Sequence, residues 1–303
     1  MLEPLRRDPE FNLYRGRKHG NDVSVLVLAP AVKELAAAKV ARLGHEYALA
    51  AELESEWAAR PLALVDHDGR PMLVLEDPGG DPLDLALTRP LELTRFLRLA
   101  IGATLALAQA HRRGFVHKDI KPANLIVDAA GKVRLTGFGV ASRLPRELQM
   151  PGPPEAIAGT LAYMAPEQTG RMNRSVDTRS DLYSLGVTFY EMLTAALPFT
   201  AAGPLEWIHC HIARQPIPLR DRGPDIPEAI ASIVSKLLAK DPEERYQSAT
   251  GLGADLQRCL ADWEAQGRIE PFVPAAHDGP RSSDHTGEAL RARTRGRCAR
   301  IRS

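Results

Sequence analysis

Apolar and polar positions alternate in short stretches over the first part of the chain, and from about residue 78 the apolar spacing becomes that of helices. Leu13–Arg17 and Val23–Leu28 read as strands separated by the turn-like His19-Gly20-Asn21-Asp22. Val32 to Trp57 is rich in Ala and Glu and carries Leu35, Leu43, Tyr47 and Leu49 at helical spacing. Leu62–Val65 and Met72–Leu75 flank Asp66-His67-Asp68-Gly69, a hairpin signal. Beyond Gly79-Gly80, the pattern predicts helices over Leu91–Arg113, Arg179–Thr194, Pro204–Ala213, Ile226–Ala239 and Ala249–Trp263. Pro198, Pro216 and Pro218 mark breaks between them. A second small hairpin joins Leu125–Val127 to Val133–Leu135 through Ala130-Gly131. Strands gathered before helices, without regular alternation, predict an α+β fold of two lobes, 1–77 and 78–264.

Near Gly267 the apolar periodicity fades, and Arg281, Arg291, Arg293, Arg295, Arg297, Arg300 and Arg302 crowd the end of the chain. Such a segment buries too little apolar surface to offset its ordering entropy, so 265–303 is expected to be a disordered Arg-rich tail. A basic arm for nucleic acid is the functional alternative. No aromatic residue follows Phe272 to stack on bases, so no nucleic-acid partner is expected. The whole chain is nearly neutral, with 39 Lys+Arg against 38 Asp+Glu, which argues against a nucleic-acid or membrane-surface protein.

Cys210, Cys259 and Cys298 are far apart and odd in number, as expected of reduced thiols in a cytoplasmic protein. Cys210 lies between His209 and His211, but adjacent helical residues do not converge on one metal ion. No apolar run precedes the charges of Met1–Arg7, and Val23–Val32 and Leu97–Ala110 are too short or too charged to span a bilayer. Low aromatic content with abundant Ala and Arg suggests a GC-rich bacterial genome.

The densest chemistry runs from His117 to Gly139. It starts His117-Lys118-Asp119-Ile120-Lys121-Pro122-Ala123-Asn124 and ends Leu135-Thr136-Gly137-Phe138-Gly139. Ala165-Pro166-Glu167, Asp181 within Ser180-Asp181-Leu182-Tyr183-Ser184-Leu185-Gly186, and Asp241-Pro242 with Arg245 follow in order. This ordered set resembles a bacterial Ser/Thr protein kinase domain of the eukaryotic-like type, over about residues 2 to 264. The resemblance implies a bilobal kinase-like fold, with ATP and magnesium as cofactors and a protein as substrate or partner. It makes Asp119 the group that orients or deprotonates a substrate hydroxyl, Lys121 a contact to the transferred phosphate, and Thr160 a brace for the catalytic loop. Asn124 becomes the magnesium ligand, and Glu46 the helix carboxylate that pairs with an ATP lysine. Backbone groups near Leu75, Glu76 and Asp77 would meet the adenine. Glu167 and Arg245 would form a structural fork.

Glu167-Gln168-Thr169-Gly170-Arg171-Met172-Asn173-Arg174 and Arg143-Leu144-Pro145-Arg146-Glu147 narrow the likeness. They resemble the N-terminal kinase-like domain of large bacterial proteins that also carry an ATPase module and a sensor histidine kinase. The Arg-rich end is then expected to be a truncated or frame-shifted continuation.

Three departures fall on the nucleotide side. The glycines of a phosphate loop align with Arg6, Asp8 and Phe11, whose side chains, with Pro9 lacking an N–H, oppose a phosphate cradle. Val25-Leu26-Val27-Leu28 aligns with the strand that carries the ATP lysine, so Leu28 replaces that lysine, and Lys18 or Lys33 would have to substitute. Gly137 replaces the aspartate that holds magnesium, leaving Asn124 alone at a site that prefers carboxylate oxygen. Losing one preorganised electrostatic group costs about 3–4 kcal/mol, roughly a thousandfold in rate. Lys118 also replaces the arginine that reads activation-loop phosphate, and lysine lacks its bidentate fork. Three functions stand open: a pseudokinase acting as a regulatory or interaction module, an active Ser/Thr kinase with an atypical ATP site, and a small-molecule phosphotransferase.

Overall fold

The computed structural model describes residues 2–17, 20, 22–32, 36–143 and 160–278. Five strands form one antiparallel sheet in the order β1 (Glu3–Arg7), β2 (Phe11–Arg17), β3 (Ser24–Pro30), β5 (Arg70–Glu76), β4 (Pro61–His67). Directly paired residues share a sheet face, so the register Leu13↔Leu28↔Leu73 and the pair Leu26↔Leu75 gather leucines on one side. Helix α1 (Ala37–Ala48) covers that side with Leu43, completing the core of the small lobe. The β4–β5 turn is the one read from the sequence. Asp68 and Gly69 lie at φ 53° and 75°, the left-handed pair that a tight two-residue hairpin requires.

The larger lobe is helical: α2 (Leu93–Arg112), α3 (Thr178–Thr194), α4 (Pro204–Ile212), α5 (Leu219–Arg222), α6 (Glu228–Leu237) and α7 (Ala249–Gln266). Almost every side chain of α3 is buried, which makes it the central post of that lobe. Short strands β6 (Asp81–Pro82), β8 (Leu125–Val127) and β9 (Val133–Leu135) line its upper edge, and β7 (Phe115–Val116) pairs with β10 (Ser142–Arg143). The architecture is the α+β bilobal kinase fold. Gly80 in the link has φ +82°, and a Cβ there would stand 1.8 Å from the Val127 carbonyl oxygen, so the link can lie against β8 only as glycine.

Three elements differ from the sequence expectation. Alternation does not predict strand β1, because Glu3-Pro4-Leu5-Arg6-Arg7 has none. It exists as an edge strand by pairing with β2, and an edge tolerates proline and charge. The helix predicted over Val32–Trp57 is confined to α1 among the described residues. After Leu49 the chain turns repeatedly and carries Leu53 and Trp57 into the core of the other lobe. The packed chain also extends past 264. Gly267 caps α7 at φ 66°, and Ile269, Phe272 and Ala275 pack on the helical core. Residues 265–278 are therefore part of the folded lobe, since these three side chains are partly buried against it. The Arg-rich run, Cys298, Lys18, Lys33 and Arg143's neighbours Leu144–Glu147 lie outside the described residues.

Candidate functional site

The catalytic-loop segment is held by buried hydrogen bonds. Asp181, wholly buried on α3, accepts from the amides of His117 and Lys118 at 2.8 and 2.7 Å and bonds the His111 ring at 2.9 Å. Burial opposes its charge, but these donors prevail and hold its carboxyl below the ordinary range. His117 Nε2 meets the Thr136 carbonyl at 3.0 Å, tying the loop to the segment that leads into Gly137. Burial is the main reason the His117 imidazole stays below its usual pKa.

Asp119, Lys121, Thr160 and Asn124 converge at the mouth of this loop. Asp119 Oδ1 accepts from the Thr160 amide at 2.9 Å and the Thr160 hydroxyl at 3.1 Å. Its Oδ2 accepts from Asn124 Nδ2 and Lys121 Nζ, each at 3.0 Å. Lys121 also donates to the Thr160 hydroxyl. Asn124 Nδ2 is further committed to the Asp119 carbonyl at 2.7 Å. A Cβ on Gly137 would stand 2.7 Å from that same Nδ2, and Gly137 lies at φ +83°. The space where a side chain would leave position 137 is thus filled by Asn124.

Among the described residues, Glu46 forms no ion pair with a cation. Leu28 faces the leucines of β2 and β5 and packs on their cluster. The Glu46 carboxylate, buried at the inner face of α1, instead accepts from the Gly137 amide at 3.1 Å and faces the amides of Phe138 and Gly139. Burial pushes its pKa from 4.5 to about 7, the three amides only partly offset this, and Asp119 adds repulsion. The folded state therefore holds a proton that the unfolded state has released between pH 4.5 and about 7. Stability contributed by this group is full below pH 4.5 and is lost as pH rises to about 7. Glu46→Gln is expected to remove this slope and to be more stable than wild type at pH 8, by about 3 kcal/mol at most. Urea midpoints at pH 5 and 8 check this, and equal slopes for both proteins would contradict it.

The phosphate-loop positions fall on the β1–β2 hairpin. Asp8 caps the turn, its Oδ1 accepting from the amides of Glu10 and Phe11 at 2.9 and 2.6 Å. Glu10 is drawn to α1, with Lys39 at 2.8 Å and Arg42 at 3.5 Å. Arg6 pairs with Asp8 at 3.3 Å and crosses between the lobes to donate to the Ala123 carbonyl of the catalytic loop. Phe11 packs on the leucine cluster of the small lobe.

The link side is equally engaged. Leu75 is fully buried between β3 and β4, and the Glu76 amide donates to the Arg60 carbonyl at 2.8 Å. Asp77 accepts from Arg15 at 2.7 Å and from Ser24 at 2.5 Å. Burial works against its charge, yet Ser24, Arg15 and the Gly79 amide hold its carboxyl below the ordinary range. Ile126 of β8 is 1% exposed and belongs to the same apolar cluster as Leu13, Leu26 and Leu75. Side chains of the two lobes meet there. Leu26, Ile126 and Arg15 lie beside the link and were not singled out from the sequence. Leu26 carried a signal, since it stands where the aligned Val-Ala-Ile-Lys strand has alanine; Arg15 carried none.

Below the loop, Arg245 and Glu167 form a fully buried fork, with guanidinium–carboxylate distances of 2.7 and 3.0 Å. Ser180 donates to the same carboxylate at 2.7 Å. Gln168 donates to the Lys118 carbonyl at 2.9 Å, so the segment ending at Glu167 is braced against the catalytic loop. Residues 21–255 match the family described as "Protein kinase domain".

The chain belongs to the protein kinase family.

Serine/threonine-protein kinase PknB of Mycobacterium tuberculosis is 34% identical over 256 residues, covering 84% of this chain and 37% of that protein. Probable serine/threonine-protein kinase SCO3848 of Streptomyces coelicolor is 37% identical over 198 residues, 65% of this chain and 29% of its own. Probable serine/threonine-protein kinase CPE1738 of Clostridium perfringens is 31% identical over 189 residues, 62% and 26% respectively. The chain thus spans about a third of the length of the curated relatives it matches. These likenesses support a bacterial kinase domain of the Ser/Thr type. Among the described residues, no helix is long and apolar enough to cross a membrane.

Proposed function

We propose that this kinase domain is a pseudokinase, a cytoplasmic regulatory or interaction module that binds a protein partner, takes up ATP and magnesium poorly, and transfers little phosphate. The observation that carries the reading is the occupied cleft. Arg6 bridges β1 to Ala123, and Leu26 and Ile126 close the space beside the link. The donor set points the same way, because Gly137 brings no carboxylate to stand beside the Asn124 amide oxygen, and Glu46 is spent on backbone amides. These residues do not fit a magnesium–nucleotide complex. The near-neutral chain supports a protein partner over nucleic acid. The likeness to kinase-like domains of large hybrid signalling proteins supports a place beside other modules.

An active Ser/Thr kinase is the second reading, favoured by the assembled group of Asp119, Lys121, Thr160 and Asn124. The experiment that separates them is thermal unfolding with millimolar ATP, with and without magnesium. The pseudokinase reading expects a shift within error. A ligand present at 100 times its Kd would add about 2.7 kcal/mol. Magnesium-dependent stabilisation of that size, with labelling of a protein substrate that vanishes in Asp119→Ala, would establish the active kinase instead.

A further inference from the structure

The chain after α7 returns to the start of the same helix. The Asp278 carboxylate accepts from the Gln247 and Ser248 amides at 2.6 and 3.1 Å and from the Ser248 hydroxyl at 2.6 Å. A Cβ at Gly251 would stand 2.3 Å from the Asp278 carboxyl carbon, so the first turn of α7 leaves room for this group and no more. One turn on, Asp255 accepts from the Ala275 amide at 2.8 Å and from the Tyr246 hydroxyl at 2.7 Å. The Phe272 ring lies under the Arg258 guanidinium at 4.4 Å. A carboxylate at a helix N-terminus, a stacked ring and a shared aspartate make three independent fastenings.

The residues fastened are those that follow Arg245. Asp278 fixes the Gln247 backbone, while the Gln247 side chain donates to the carbonyls of Pro242 and Arg245 at 3.1 and 2.9 Å and accepts from Arg179 at 3.0 Å. Arg245 in turn holds Glu167, and Gln168 holds the Lys118 carbonyl. An unbroken set of hydrogen bonds therefore runs from Asp278 to the segment between Thr160 and Gly170.

We propose that residues 267–278 form a strap, and that its seating on α7 sets the rigidity of the 160–170 segment. Contacts or tension on the chain beyond 278 would then reach the substrate-facing side of the domain through the Arg245–Glu167 fork. A seated and an unseated strap are the two states that such coupling requires. The coupling is indifferent to whether phosphate is transferred, so it is read by hydrogen exchange and stands apart from the fate of the pseudokinase reading.

The test is hydrogen exchange of the full chain, wild type against Asp278→Ala and Gly251→Ala. Losing the carboxylate contacts is expected to raise exchange about tenfold at 247–256 and, by a smaller factor, at 160–170. Exchange in α2 and α6 is expected to stay at the wild-type rate. Gly251→Ala, which displaces the carboxylate without removing it, is expected to reproduce the pattern. Faster exchange confined to 247–256 and the strap would overturn the coupling. A uniform rise that includes α2 and α6 would overturn it as well, since it would mark general destabilisation.

Discussion

Glu167→Ala is expected to lower stability by about 3–5 kcal/mol, because it leaves a buried guanidinium without its counter-charge. Arg245 and Glu167 side chains are 0% and 1% exposed, so water cannot replace the lost carboxylate. The remaining acceptors of Arg245 are the carbonyls of Ala239, Lys240 and Arg179, which carry partial charge only. Ser180 would lose its acceptor too. For a domain with typical stability of about 5–15 kcal/mol, such a loss is a large fraction of the whole. Arg245→Met combined with Glu167→Ala is expected to be less damaging than Glu167→Ala alone, since no uncompensated charge is then buried. Urea unfolding of the two variants decides this, and a pair no more stable than Glu167→Ala alone would refute the account.

Reopening the cleft is the second large effect, and it reads on function. Leu28→Lys with Gly137→Asp restores the two missing nucleotide groups, yet is expected to give no ATP-dependent shift. Leu26 and Ile126 still fill the base side, and Arg6 still bridges to Ala123. Adding Arg6→Gly and Leu26→Ala removes the bridge and one buried leucine. The leucine truncation costs about 2–5 kcal/mol for the cavity it leaves. Magnesium–ATP is expected to stabilise only the fourfold variant. Thermal unfolding with and without nucleotide measures it. A shift already present in wild type would contradict the filled cleft, as would an equal shift in the double variant.

Much of this was legible in one dimension. The Asp68-Gly69 turn follows from the conformations those two residues accept, and the hairpin of β8 and β9 from a short alternating run broken at Ala130-Gly131. The cluster around Asp119 was readable because Asp119, Lys121 and Asn124 lie within one loop, and Asp181, Glu167 and Arg245 stand at recognisable spacing. Strand β1 was not readable, since an edge strand draws its stability from its neighbour and keeps charged side chains. The strap was missed for a related reason. Ile269, Phe272 and Ala275 are partly buried against a surface built by other elements, and three apolar residues in a polar segment belong to no helix or strand pattern.

Local spacing reads each departure on the nucleotide side from a residue at a motif position. It did not say what replaces the lost interactions. Arg6 finds its acceptor 117 residues away in Ala123, and Glu46 finds its donor 91 residues away in Gly137. A side chain deprived of its usual partner takes whatever group the packed lobes bring within about 3 Å. That choice depends on chain closure and burial, which residue order near Arg6 or Glu46 does not contain.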